Sequence, residues 1–461
     1  MQLLIRNGLC INASGRFRAD IAISEGRIVS LGQNLHAEDN CPVVDASDAL
    51  VLPGIIDAHV HLPWPSASFD SVDDFKFGTT AAVFGGVTTV IEYLVPELSD
   101  QLIPSLESHM EEAQDSSFSD YSFHMILRKV TTNSPSQMAE VVKHGISSFK
   151  IYTAYDGFQL NDEEILTALR TSVKLGAVIC FHAESYPIIS DSTKQLVRAG
   201  ETAIRFYPEA HPFEADIEAT QRIISFVRFT GARAHIAHVN THIGVELITK
   251  ARRAGLAITG ETCPHYLIFT DDVYKSERPE SAYYILAPAI RGRDDRDGLW
   301  DALAENDLQM VSTDHCPYTS KQKLQGANDF RLVPGGVSGL ETSLSLLYTY
   351  GVRTGRLSME RLVETMSTNP AKIFNMYPQK GTIAVGSQAD LVIFDETNKT
   401  TIEAEKLHSR ADHSIYEGME ILGQPRMTIL RGNIIVKDGK INMDQPTGQF
   451  IPRSPYQRNS I

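Results

Sequence analysis

The chain has 461 residues, 42% of them hydrophobic, and a formal net charge of -15. This suits a soluble globular protein of one large and one smaller domain, or two medium ones. So acidic a surface repels phosphate backbones and anionic lipid, and no stretch approaches the ~20 apolar residues of a membrane span, so nucleic acid and membrane are excluded as expected partners.

Residues 1–53 read as short strands joined by tight turns. LLIRNGLCI, DIAISEGRIVSLG and PVVDASDALVLPG combine β-branched residues with Asn-Gly and Glu-Gly punctuation. The apolar start, MQLLIRNGLCI, is too short and interrupted for a signal peptide.

From residue 54 to 379 the pattern changes to alternation. Strand candidates TTVIEYL, YSFHMIL, SSFKIYT, AVICFHA, AHIAHV, LAITGETC and QMVSTDH are separated by amphipathic stretches such as NDEEILTALRTSVKLG and GVELITKARRAG. Asn161 with Glu164 three residues on is a capping-box pattern, and Gly176 and Gly255 stand where helix ends require a left-handed residue. Repeated strand–helix units over this length predict a (β/α)8 TIM-type barrel. The competing fold is a doubly wound open sheet, weakened by the lack of a GxGxxG after an early strand.

Residues 380–440 return to the first style, with GSQADLVIFD and TILRGNIIVKDGKI. The two terminal segments, 1–53 and 380–440, are expected to combine into one small β-sandwich domain. The remaining 441–461 is polar with three prolines, and reads as a disordered tail or an arm lying on a neighbouring subunit.

The polar residues ending otherwise apolar strands point to chemistry, because the C-terminal strand ends of a barrel form its active face. His59 and His61 follow VLPGIIDA, and two-residue spacing aims both side chains to one side. His182 ends AVICFH, His238 ends AHIAH and Asp314 ends QMVSTD. A lone HxH is a weak signal, and a lone strand-end histidine is more often a hydrogen-bonded core residue. Four histidines and an aspartate at the strand ends of one barrel are a sharper coincidence. Imidazole and carboxylate suit zinc first, with manganese, iron or nickel as alternatives. Lys150, in SSFK, is different, since an ammonium cannot ligate a cation and a lysine standing alone reads as salt-bridged. The five cysteines, Cys10, Cys41, Cys180, Cys263 and Cys316, include no CxxC pair and suit a reducing cytoplasm. Cys180 and Cys316, beside proposed ligands, read as small apolar fillers.

VDAHVH, SSFKIYTAY, FHAES, GETCPHYL and STDHCP, with MSTNPAKIFNMYPQKGTIAVGSQADLVIFD further on, resemble the amidohydrolase superfamily, and within it the dihydropyrimidinase/hydantoinase branch of cyclic amidohydrolases. The resemblance covers nearly the whole chain. It implies two divalent metal ions, one held by His59, His61, Lys150 and Asp314 and the other by Lys150, His182 and His238. Lys150 would be carboxylated to N6-carboxylysine and bridge the ions. Asp314 would act as general base and then acid, and Tyr155 would donate to the oxyanion. The implied reaction opens a cyclic amide to an N-carbamoyl amino acid, in a homotetramer or dimer. Allantoinase and cyclic imidase chemistry are the alternatives. With all these positions filled, a non-catalytic relative is disfavoured, and Lys150 argues against a single-metal deaminase.

Departures from the family pattern bear on the substrate. Dihydroorotases carry HxHxR, and here HVHLP puts Pro63 at the arginine, which argues against a ring carboxylate. The usual Ser-Pro-Pro-Leu-Arg is Ala287-Pro288-Ala289-Ile290-Arg291, and Pro-Asn-Gly is Pro334-Gly335-Gly336. Ala287 and Gly335 keep the backbone groups expected to contact the ring. Leu62, Trp64, Phe69 and Phe158 are expected to line an apolar substituent pocket. Cys263-Pro264-His265 reads as a structural loop, and RGRDDRD beyond Arg291 as a solvated turn.

Overall fold

The computed structural model of the chain describes residues 1–64, 69–97 and 101–457. The N-terminal segment forms β1 (Leu3–Asn12), β2 (Gly15–Ser24), β3 (Arg27–Gly32), β4 (Val43–Asp45) and β5 (Leu50–Pro53). The strands β6 (Ile55–Val60), β7 (Val87–Leu94), β8 (Asp120–Ile126), β9 (Ser148–Tyr152), β10 (Val178–His182), β11 (Arg233–Ile236), β12 (Ile258–Thr262) and β13 (Met310–Val311) follow. These eight lie side by side in chain order, and their pairings are parallel. The ring closes where Val60 bridges His315 in parallel and His61 N donates to His315 O at 2.9 Å. The (β/α)8 barrel is therefore observed, and the open-sheet alternative is not.

Local sequence explains the helices that wrap it. Helix Asp162–Leu175 begins with the reciprocal Asn161–Glu164 capping box and stops at Gly176, whose φ of 63° is left-handed. A Cβ at Gly176 would also stand 2.4 Å from the Tyr456 carbonyl, so the position is closed to other residues twice over.

The last strands, β14 (Leu391–Thr401), β15 (Glu420–Leu430), β16 (Asn433–Lys437) and β17 (Lys440–Ile441), join the first five in a nine-stranded sheet. The seam is β5 against β14, antiparallel, with Pro53 opposite Leu391 and Leu50 opposite Phe394. This small domain encloses its own core, including Ile5, Ile21, Val51, Ile393 and Ile429. A buried charge cluster ties it to the barrel: Lys380 Nζ bonds Asp120 at 2.7 Å and Asp390 at 2.6 Å, and Arg431 also bonds Asp120.

The tail is ordered. Residues 449–456 lie on the chain's own barrel. Tyr121 N donates to Gln449 O, Ile451 N to Tyr121 O, and Arg453 N to Gly145 O. The Arg453 guanidinium, buried to 1% exposure, enters the N-terminal end of the barrel and donates to Ser122 Oγ and Ser148 Oγ, each at 2.8 Å. The segment looks polar in sequence, yet Ile451 packs in a core cluster and Arg453 satisfies hydroxyls at the barrel floor. The last four residues lie outside the described residues.

Candidate active site

The six expected ligand positions converge at the C-terminal end of the barrel. His59 and Lys150 stand in β6 and β9, and His182 is the last residue of β10. His61, His238 and Asp314 follow β6, β11 and β13. His238 and Asp314 take left-handed backbone, φ 38° and 52°, which costs energy in a non-glycine residue and is typical of functional sites.

Asp314 Oδ1 lies 3.0 Å from His59 Nε2 and 3.1 Å from His61 Nε2. One ligand atom from each of the three falls within 4.8 Å of the others, a group able to hold a metal ion. Burial alone would raise the Asp314 carboxyl, but the two facing imidazoles outweigh it and hold it well below the usual carboxylate range. On the other side, the rings of His182 and His238 meet edge to face at 4.5 Å between centroids, and His59 lies 5.3 Å from His238.

Lys150 lies near both groups, its charge acting on His59, His61, His182 and His238. Its Nζ is fully buried, has no hydrogen-bond partner and hangs 4.3 Å over the Tyr93 ring. Burial lowers its pKa, favouring the free amine. Among the described residues it has no salt bridge. The orphaned Lys150 amine, the partnerless Nδ1 atoms of His61 and His238, and this donor set all fit a bound metal centre.

Above the cluster opens a cavity of about 700 Å³, within the range of small-molecule sites. One wall is aromatic: Trp64 and Phe158 stack at 5.3 Å between centroids, with Tyr152 beside them. Tyr155 faces the same space with φ 73°, and its hydroxyl donates to Glu184 Oε2 at 3.3 Å.

The amidohydrolase family profile matches residues 50–435. The D-hydantoinase of Geobacillus stearothermophilus is 36% identical over 459 residues, 99% of this chain and 97% of that protein. The chain belongs to the amidohydrolase family. Among solved structures, a dihydropyrimidinase from Brevibacillus agri matches this amidohydrolase with a TM-score of 0.97 at 34% identity, covering 99% of this chain and all of that one (100%). The L-hydantoinase of Arthrobacter aurescens matches with a TM-score of 0.92 at 30% identity, covering 98% and 100%. These neighbours bear out the hydantoinase/dihydropyrimidinase branch expected from the sequence.

Of the residues expected to line the amidohydrolase's cavity, Trp64, Tyr155, Phe158, Ala287 and Gly335 do so. Leu62 does not. It is fully buried, and its side chain fills the space over Gly78, where a Cβ would come within 2.2 Å of it. The alternation after β6 that sends His59 and His61 inward sends Leu62 into the packing beneath helix Phe75–Phe84. Phe69 is half-buried in the following loop and is not part of the cavity wall.

Several supporting residues were not anticipated. Glu261, in β12, is fully buried and bonds His59 Nδ1, which leaves Nε2 to face Asp314. Glu184 meets His182 Nε2 at 2.7 Å and His211 Nδ1 at 2.8 Å. Arg291, beneath them, donates to the His211 carbonyl at 2.6 Å and pairs with Asp216 at 2.5 Å. A carboxylate one residue before a strand's polar end (GET), and another two after a strand-end histidine (HAE), are the sequence signals that could have flagged the two glutamates. The five cysteines are all free; Cys180 and Cys316 are buried, with thiols pushed up to about 12 by burial, as inert fillers. Among the described residues no helix is long and apolar enough to cross a membrane.

Proposed function

We propose that the chain is a dinuclear-metal hydrolase that opens a cyclic ureide, such as a 5-substituted hydantoin or a dihydropyrimidine, to an N-carbamoyl amino acid. The observation that carries this reading is the buried Lys150 amine, without a partner among the described residues and close enough to His59, His61, His182 and His238 for its charge to act on all four. Addition of CO2 to that amine, with loss of one proton, gives a carbamate. Its two oxygens suit Lys150 to serve both groups.

His59, His61, Lys150 and Asp314 would hold one divalent ion, and Lys150, His182 and His238 the other, with zinc first and manganese, iron or nickel as alternatives. When bound, the ions supply Lewis acidity that lowers the pKa of water and polarises the ring carbonyl. Asp314, kept ionised by its imidazole neighbours, accepts the proton of the attacking water and passes it to the departing ring nitrogen. Tyr155, turned from Glu184 toward the cavity, donates its hydroxyl to the tetrahedral oxyanion. Backbone groups at Ala287 and Gly335 orient the ring, and the Trp64–Phe158 wall receives an alkyl or aryl substituent.

The loss of a side-chain hydroxyl at Ala287 and of a side chain at Gly335 leaves a less polar ring site, which keeps allantoin-type and imide rings as the second reading. The family resemblance supports a homotetramer, or a dimer, and the free cysteines support the cytoplasm. The test is a hydrolysis screen of the metal-loaded protein on dihydrouracil, 5-substituted hydantoins, allantoin and succinimide-type imides. Ring opening of a ureide is expected, and no turnover of any overturns the reading.

A further inference from the structure

One polar side chain at the reacting end of the barrel has no role in this scheme. His265 follows β12 in the short helix Pro264–Ile268, which Cys263 begins, and β12 lies between the strands that lead to His238 and Asp314. It lines the cavity, yet it is 1% exposed and neither Nδ1 nor Nε2 has a partner among the described residues. Of the described histidines lining the cavity, His265 alone has both ring nitrogens buried and unpaired.

Buried polar atoms are nearly always bonded, and the exceptions call for a partner from outside the chain. The neighbouring Tyr266 follows that rule, its hydroxyl donating to Pro288 O at 2.6 Å. The His265 ring only packs edge-on against Tyr266, at 4.2 Å between centroids. Nor does His265 belong to the group whose donor atoms converge, His59, His61 and Asp314.

We propose that His265 is a specificity-determining residue that hydrogen-bonds the neutral amide groups of the ring substrate. The inference rests on the cyclic-ureide reading above and narrows it. Burial, the largest influence, outweighs the opposing pull of Asp314 and brings the imidazole down to about 4, so the ring is uncharged near neutrality. A neutral imidazole offers one N–H donor and one lone pair, which match an amide N–H or C=O. It offers no cation to a carboxylate. Among the described residues, the one arginine on the cavity wall, Arg331, is turned to Asp329 in a two-pronged pair of 2.9 and 2.5 Å. With Pro63 where a substrate-gripping arginine would stand, the cavity favours uncharged ureides over ring acids.

The experiment compares metal-loaded wild type, H265L and H265Q. It measures kcat and KM on dihydrouracil and a 5-substituted hydantoin, binding of the corresponding N-carbamoyl product by calorimetry, metal content and thermal unfolding. Removing the donor and acceptor in H265L is expected to lower kcat/KM on the order of 10- to 100-fold, mainly through KM. H265Q restores a neutral donor and acceptor and should recover most of the loss. Metal content should not change, and H265L should melt no lower than wild type, because it removes two unpaired buried atoms. A structural histidine would show the reverse, a lower melting point with unaltered KM. H265L with wild-type kcat/KM overturns the inference and leaves the ureide reading standing. If H265L does not fold, an H265Q with neither recovered KM nor product binding overturns it. A wild type that neither turns over nor binds any ureide overturns both.

Discussion

Glu261 on β12 bonds the Nδ1 of His59 on β6, so one buried carboxylate fixes the tautomer and aim of a histidine on another strand. Its other oxygen lies 3.2 Å from His235 Nε2, which braces it from β11. Carboxylates that orient metal-binding histidines typically contribute 10- to 100-fold in metal affinity. Glu261→Gln is therefore expected to weaken metal binding by about that factor, read by titrating the metal-free protein against a competing chelator. Unaltered affinity would remove Glu261 from this role.

Lys150→Arg keeps a long cationic side chain but cannot form a stable carbamate. The variant should lose bound metal and fall to background turnover, measured by elemental analysis and the ureide assay. In wild type, exposure to 13C-labelled CO2 should give a carbamate carbon signal that Lys150→Arg lacks. Retained activity would remove the dinuclear mechanism.

Tyr155 is held at φ 73° with its ring 5.0 Å from that of His182. If its hydroxyl meets the oxyanion, Tyr155→Phe should lower kcat on the order of 100- to 1000-fold. Product affinity should change little, because the contact belongs to the transition state. An equal loss in product binding would mean a packing role instead.

Lys323 gives a pH signature far from the proposed metal ligands in role. It is fully buried, donates to Ile285 O at 2.7 Å, and burial brings its pKa from 10.5 down to about 7. Between those values the unfolded chain holds a proton the folded chain releases, so stability rises with pH across that window. Lys323→Met should flatten the rise, by at most about 1.4 kcal/mol per pH unit, as seen by comparing unfolding curves with wild type from neutral to alkaline pH. Parallel curves would refute it.

Arg453 donates to Ser122, Ser148 and the Phe123 carbonyl from inside the barrel floor. Arg453→Ala removes these hydrogen bonds, with only Ser148 Oγ keeping a partner in His124, and should cost about 3 kcal/mol, read as a lower unfolding midpoint. No change would mean the tail contributes nothing to barrel stability.

Much of this was legible in the sequence because two periodicities carry it. Apolar strand runs alternating with capped helices announce a barrel, and histidines at strand ends announce its active face. Leu62 was misplaced because the alternation of β6, which carries on past His61, puts it on the packed side, and Phe69 because a loop further from a strand loses the alternation that assigns sides. Glu261 and Glu184 were missed because a single carboxylate in an apolar run looks the same whether it faces a histidine or a helix. Arg453 was hidden for a related reason: a guanidinium is read as a surface group unless the hydroxyls that would receive it are known to lie together.

The β5–β14 seam sets an order of events during synthesis. Pro53 emerges long before Leu391 exists, so the first half of the small sheet waits, with an open edge, while the entire barrel is made. Long-range pairings of this kind form slowly and leave sticky intermediates. The earliest-made part of the chain is thus among the last to be finished.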